Sequence, residues 1–593
     1  MTSRASHSLL VAALAFLVLP SPGTAQAPRR PAQAETPYRA AIRALNEGRY
    51  DEVDALKDSP DPNLAAVKAK AAIARGRYAQ AETILRPVAS RMPLSEAALE
   101  LGLLGQMLGR PDAAGLLEKV APLADASDDP VEVARGARAL RALGRFHEAN
   151  AAYIEATRSA PNDPAIQAAF GDLFLEKYDK AEALKSYQMV LQIDPRWTPA
   201  LVGAARALAD DNPPQAATFA ARALAVNPSS VDAQIFFAGE AADANKHDEA
   251  RKALDKALAV NPASLEAISL RAALSYIDDK PQDFEAEAAK ALAIAPRYGE
   301  VYRVAGELAA RNYRFDEAVD LVRRSLALDP GNSRAMADLG SHLLRTGDER
   351  GARVALEAAF KADPYSKLTM NQLTVMDKVD KFVTLQEGDL IMRLDKNEAP
   401  VLREYAMALA RQALSTLAAR YEFTPRGPIL VEIFPKQDDF AVRTLGLPGM
   451  VGALGVCFGR VVAIDSPNGG PRGEFQWEAT LWHELAHVIT LQMSNQRVPR
   501  WLTEGISVYE EKKARAEWGR EMDVTFAGML NRGETLKLRD LNSAFTNPKT
   551  ISLAYFEASL LVEHIVNAYG DAALRKLVRA YATGIDTDAA LKA

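Results

Sequence analysis

The chain has 593 residues, 48% of them apolar and 25% charged, a balance that excludes a disordered, collagen-like or polytopic membrane protein. That length exceeds what one hydrophobic core serves and suggests about four domains of roughly 150 residues, or fewer if part of the chain is a repeat array. A formal net charge of −6 gives no basic field and disfavours nucleic-acid binding as the main role, and a single cysteine, Cys457, excludes an intramolecular disulfide.

The N-terminus reads as an export signal. Arg4 is the only charged residue before a run at 9–19 made entirely of Leu, Val, Ala and Phe. Pro20 and Pro22 end the run, and small residues precede exit points after Ala25 or Ala27. A basic start, a short apolar stretch and a small-residue exit are the parts of a secretory signal peptide, expected over 1–27. The run is too short to span a bilayer, which takes about 20 apolar residues. No cysteine stands at the processing site, so a lipid anchor is not supported, and the product is expected to be periplasmic or extracellular.

The first half repeats. Pro161, Pro195, Pro228, Pro262, Pro296, Pro330 and Pro364 are separated by 34, 33, 34, 34, 34 and 34 residues. Twelve residues before them stand Ala149, Ala183, Ala216, Ala250, Phe284, Ala318 and Ala352; 24 before them stand Ala137, Gly171, Ala204, Ala238, Ala272, Gly306 and Gly340. Small residues at fixed places let two antiparallel helices approach, and the proline stops the second before the next unit begins. The pattern resembles the tetratricopeptide repeat, strongly over 128–364. Pro93, in phase with Ala69 and Ala81, extends weaker repeats back to about residue 37, although the unit at 94–127 fits poorly. Such an array implies a concave surface for a protein partner.

After Pro364 the register is lost, and four of the five tryptophans fall in the last 117 residues. Strands are predicted at 382–385, 390–394, 429–434 and 460–464, helices at 399–421 and 438–444, and mainly helix from about 475 onward. Strands followed by helices indicate an α+β domain over 372–593.

Within that domain, Trp482-His483-Glu484-Leu485-Ala486-His487 contains H-E-x-x-H, in a stretch at 475–493 that neither proline nor glycine interrupts. Two histidines four apart on a helix share a face and can both ligate one ion, while Glu484 can accept a proton from an activated water without ligating. A polar turn at Ser494-Asn495-Gln496 leads to Pro499, which suits the first turn of a returning helix and brings Glu504 back to the level of the histidines. Gly505 permits close backbone approach. A His2Glu set leaves one position open to water, as catalytic zinc sites do.

At these residues the domain resembles the gluzincin metallopeptidases, in particular the bacterial peptidase-MA-like domain often joined to tetratricopeptide repeats. His483, Glu484, His487 and Glu504 match H-E-x-x-H followed by W-L-x-E-G, and the likeness continues through 505–510 and 554–559. The resemblance implies zinc-dependent peptide hydrolysis with Glu484 as general base acting on metal-activated water, one Zn2+ per chain being held by His483, His487 and Glu504. The 16 residues between His487 and Glu504 are fewer than in the better-known aminopeptidases of the clan, and there is no G-x-M-E-N signature, so endopeptidase action is expected. By analogy Tyr555 is the first candidate for the oxyanion donor, with Tyr509 and His564 also open. A strand at 456–464 offers an edge for an extended substrate. Cys457, Trp482 and Trp501 read as core packing.

The last residues, 587–593, read as a helix just begun, so the domain is expected to be cut short there. Together these readings predict an α-solenoid at 37–364 followed by an α+β metallopeptidase domain at 372–593. The competing reading is a non-catalytic scaffold whose metallopeptidase-like domain does not turn over.

Overall fold

The computed structural model describes residues 36–449, 453–469, 476–520, 522–547 and 549–592. The expected signal peptide at 1–27 lies outside them. Antiparallel helix pairs follow one another from Pro37–Asn46 to Glu349–Ala362. Their boundaries follow from the repeat. Two residues beyond most of the prolines stands a side-chain cap, as with Asp163, Ser230, Ser264 and Asn332, whose oxygens accept from backbone N–H groups of the first helical turn, whereas the helices after Pro195 and Pro296 begin without one. The aligned alanines, from Ala149 to Ala352, are wholly buried at helix crossings. A Cβ on Gly340 would lie 2.5 Å from Leu356, so the closest crossings need glycine.

The unit at 94–127 departs from the period for a local reason. Its second helix, Ala113–Val120, has eight residues where Phe146–Ser159 has 14, because Pro122 breaks it, and a single turn at Leu123–Ala126 completes the unit. The array also winds back onto itself. Thr198 Oγ1 donates to Asn46 O at 2.6 Å, Asn261 Nδ2 to Ile73 O at 3.2 Å and Tyr78 Oη to Ala263 O at 2.9 Å. Further along, Lys177 pairs with Asp363 at 2.6 Å and Lys367 with Asp179 at 2.9 Å. Successive turns of the superhelix are thus stitched together. Two of its helices matter below, α1 (Glu300–Arg311) and α2 (Phe315–Leu328).

One more helix, Lys367–Val379, follows, capped by Ser366 as the repeats are. The expected boundary at 372 falls inside it. Met376 packs with Leu343, Leu344 and Leu356 of the last repeat, whereas Val375 and Val379 pack with Phe434 and Phe440 of the next domain. This helix is a joint sharing both cores.

Beyond it come β1 (Val383–Glu387), β2 (Leu390–Leu394), α3 (Ala399–Tyr421), β3 (Ile429–Phe434), β4 (Gly455–Cys457) and β5 (Val461–Asp465). The sheet runs β1-β2-β3-β5-β4, with β2, β3 and β5 parallel and both outer strands antiparallel to their neighbours. The continuous strand expected at 456–464 is instead a hairpin. Gly459, at φ +88°, reverses the chain between β4 and β5 and leaves β4 at the edge. On the sheet lie α4 (Trp477–Met493), α5 (Arg500–Ala514) and α6 (Ile551–Tyr569), which share one core with α3, β2 and β3. The final helix, Thr587–Lys592, buries Ala590 in the same core. No helix among the described residues is long and apolar enough to cross a membrane.

Candidate metal centre

H-E-x-x-H lies within α4, and the chain reverses through Asn495 and Gln496, both in the left-handed region (φ +53° and +62°), into α5. Pro499 is the N-cap residue of α5 and not its first helical residue, so Glu504 is the fifth residue of the returning helix. A Cβ on Gly505 would sit 2.6 Å from the Ala558 carbonyl, so glycine lets α5 lie directly on α6. This stacking sets the height of Glu504 beside the histidines.

Three ligand atoms meet there. His483 Nε2 lies 3.2 Å and His487 Nε2 3.1 Å from Glu504 Oε2, and the two Nε2 atoms are 3.1 Å apart. The outer nitrogens fix the tautomers. His483 Nδ1 is 2.6 Å from Glu511 Oε1, a carboxylate that accepts, so Nδ1 carries the hydrogen. Thr503 Oγ1, itself 2.7 Å from Thr490 Oγ1, lies 2.7 Å from His487 Nδ1 and can accept from it. Both Nε2 atoms face the Glu504 oxygen. Three acceptors this close require positive charge between them. Burial lowers the His483 pKa, but hydrogen bonds to Glu504 and Glu511 outweigh it and hold the ring well above its usual value, so a proton is drawn in where no cation is bound. At His487 burial prevails and lowers the pKa despite Glu504. Glu504 is held well below the usual carboxylate range: burial opposes this, but the two histidine rings and the Arg500 charge outweigh it.

The set fits a zinc-like ion. A tetrahedral centre with bonds of about 2.0–2.1 Å separates its ligand atoms by about 3.3 Å, close to the observed triangle. His483, His487 and Glu504 form the one three-residue group among the described residues with metal-binding geometry.

Glu484 is buried beside the triangle. Burial pushes its carboxyl up to about 8; His483 opposes the rise, and the charges of Glu504 and Glu511 add to it. It borders β4, where a Cβ on Gly455 would lie 2.7 Å from Glu484 Oε1, so that glycine makes room for the carboxylate.

Of the three tyrosine and histidine candidates, Tyr555 on α6 meets a ligand ring, its centroid 6.1 Å from that of His483, and it lies in a T-shaped contact with Phe545. His564 is exposed, and Tyr509 is buried among Glu510, Arg420 and Asp571, so neither faces the triangle. Cys457 is buried and its Sγ accepts the Gly459 N–H at 3.2 Å, with burial raising its thiol well above the usual value. Trp482, packed edge-on against Trp518, and Trp501 are buried in the core.

Three participants were not singled out from the sequence. Glu511 lies seven residues beyond Glu504 on α5, a same-face spacing that could have found it. Thr503 adjoins Glu504. The third, Tyr313, comes from the solenoid and donates from Oη to Glu504 Oε1 at 3.3 Å.

Residues 409–593 match the family model described as Peptidase MA superfamily, and residues 135–196 and 308–367 match two tetratricopeptide-repeat models. The chain therefore combines a tetratricopeptide-repeat solenoid with a peptidase-MA-like domain at its C-terminus. Solved structures similar to the solenoid include the APC/C hetero-tetramer Cut9-Hcn1 (14% identity, TM-score 0.37, 57% of this chain and 69% of that one). Others are the human IFIT1 dimer with m7Gppp-AAAA (15%, 0.36, 57% and 86%) and a tetratricopeptide repeat protein from Parabacteroides merdae (17%, 0.29, 49% and 97%). No curated protein matches the chain.

Proposed function

We propose that the chain is an exported zinc metallopeptidase that hydrolyses internal peptide bonds, with the solenoid engaging a protein substrate or partner. The observation that carries this reading is the convergence of two imidazole Nε2 atoms and one carboxylate oxygen within 3.2 Å, with both Nδ1 atoms already partnered by Glu511 and Thr503. His483, His487 and Glu504 would hold the ion. When bound, it would supply Lewis acidity and lower the pKa of a water beside Glu484.

The rest is work for side chains. Glu484, adjacent to His483 and with a pKa raised towards the working pH, takes a proton from the attacking water onto its carboxylate and returns it to the leaving amine. Tyr555 would donate from Oη to the developing oxyanion. The edge strand β4, beside Glu484, pairs with an extended substrate by strand addition and lays the scissile bond across the site.

The test is a proteome-derived peptide library incubated with zinc-loaded native chain and with Glu484→Gln, zinc content being measured on both. Cleavage by the native chain alone, at equal zinc content, is expected. Equal cleavage by both, or cleavage by neither, would overturn the reading and leave a binding scaffold.

A further inference from the structure

We propose that Tyr313 of the solenoid is a positioning residue for the metal-ligating carboxylate Glu504, so that the metal centre is completed across the domain interface. This rests on the metal-site reading above.

The two oxygens of Glu504 have different surroundings. Oε2 faces both histidine nitrogens; Oε1 accepts from Tyr313 Oη at 3.3 Å and faces Arg500 Nε at 3.5 Å. A carboxylate whose second oxygen is held in this way presents a single oxygen in a fixed direction and cannot rotate out of the triangle. Groups that orient a ligand in this manner tune metal affinity strongly. Arg500 belongs to the same helix as Glu504, but Tyr313 belongs to another domain, 191 residues away in sequence.

Tyr313 is delivered by the turn between α1 and α2, at φ +65°. The equivalent turn position in other repeats is Gly144, Asn245, Asp279 or Gly347, residues suited to the left-handed region. A tyrosine there is strained, and the turn that carries it is clamped. Arg497, in the connection leading into α5, pairs with Asp279 at 3.0 Å and with Glu317 at 2.9 Å. Asp316 accepts from Gln496 Nε2 at 3.2 Å and pairs with Arg460 at 3.2 Å. Phe315 meets Phe458 edge-to-face, with centroids 5.2 Å apart. These contacts hold the phenol over Glu504. Tyr178 occupies the same turn position at φ +60° in an earlier repeat, in a cavity lined by Asp363 and Ser366 and not by the triangle, and is a built-in control.

The experiment uses the full chain and reads two properties that need no turnover: the zinc dissociation constant by chelator competition, and the visible d–d spectrum of the cobalt-loaded protein. Tyr313→Phe is expected to weaken zinc binding about 10- to 100-fold and to alter the cobalt spectrum, with the melting temperature of the metal-free chain unchanged. Tyr313→Asn, which gives the turn the residue used at Asn245 but removes a ring packed on both domain cores, is expected to lose the same zinc affinity together with melting temperature. A merely structural role would lower the melting temperature of Tyr313→Phe along with its zinc affinity. Tyr178→Phe is expected to match the native chain in both readouts. Native zinc affinity and an unaltered cobalt spectrum in Tyr313→Phe would overturn the proposal alone. A folded native chain that binds no zinc would overturn the metal-site reading and this proposal with it, and that failure is visible before any substitution is made.

Discussion

The solenoid and the metallopeptidase-like domain are held together in opposite ways. In the solenoid the same small residues recur at every helix crossing, and each unit leans only on its neighbours and on the turn of superhelix beside it. In the second domain nothing repeats. A five-stranded sheet, the α4–α5 reversal and two contact-enforcing glycines, Gly455 and Gly505, converge on one buried triangle. Distributed packing yields a surface that survives local damage, whereas convergent packing yields a point of chemistry that one atom can disable.

Substitutions should expose that difference, beginning with the largest effect. Glu484→Gln is expected to slow peptide hydrolysis by about 10²- to 10⁴-fold at unchanged zinc content, measured by single-turnover cleavage against metal analysis. Thr503→Val removes the acceptor that fixes the His487 tautomer. Chelator competition should then show zinc binding about 10- to 100-fold weaker, with the solenoid's amide exchange untouched. Gly136→Ala tests the other side, since its Cβ would lie 2.3 Å from Ala124 N in the irregular early repeats. A cost of about 1–3 kcal/mol is expected, seen as faster amide exchange in those repeats while zinc affinity holds.

The smallest effect separates the regions by pH. His342, buried in the last repeat, is pushed down to about 3 by burial and by Arg345. Between about 3 and the ordinary 6.5 the folded chain binds fewer protons there than the unfolded one, so solenoid stability is lost as pH falls. Asp465, at the end of β5 with Oδ1 unpartnered among the described residues, is pushed up to about 7 by burial. It keeps a proton that the unfolded chain releases above about 3.8, so sheet stability is lost as pH rises from there to about 7. Region-resolved hydrogen exchange at pH 5 and pH 8 should show the two slopes with opposite sign. Asp465→Asn should flatten the second slope and leave the first.

The same contrast decides what the sequence could disclose. Seven in-phase prolines and the small residues at fixed distances before them expose the solenoid because every unit restates the rule, and 94–127 is obscure because Pro122 breaks it. In the second domain, strands and helices at 390–394, 399–421 and 429–434 stand as patterned, because their apolar spacing is local. The hairpin at β4–β5 reads as one strand at 456–464 in the sequence, since Gly459 looks like a strand interior until its backbone sign is seen. His483, His487 and Glu504 could be read because helix periodicity and one turn bring them together. Tyr313 could not, because its place over Glu504 depends on how two domains dock, and Tyr178 shows the same residue at the same turn serving no such purpose.

The stitching of one superhelical turn to the next has an arithmetic consequence. Thr198 meets Asn46, Asn261 meets Ile73 and Lys177 meets Asp363 across 152 to 188 residues, a span fixed by how many units lie between. Repeat arrays in general lengthen or shorten a unit at a time, since each unit answers only to its neighbours. Here an added or deleted 34-residue module would slip by one step each stitched pair whose span contains it. The tally of modules is therefore a ruler, cut to a length the coil itself enforces.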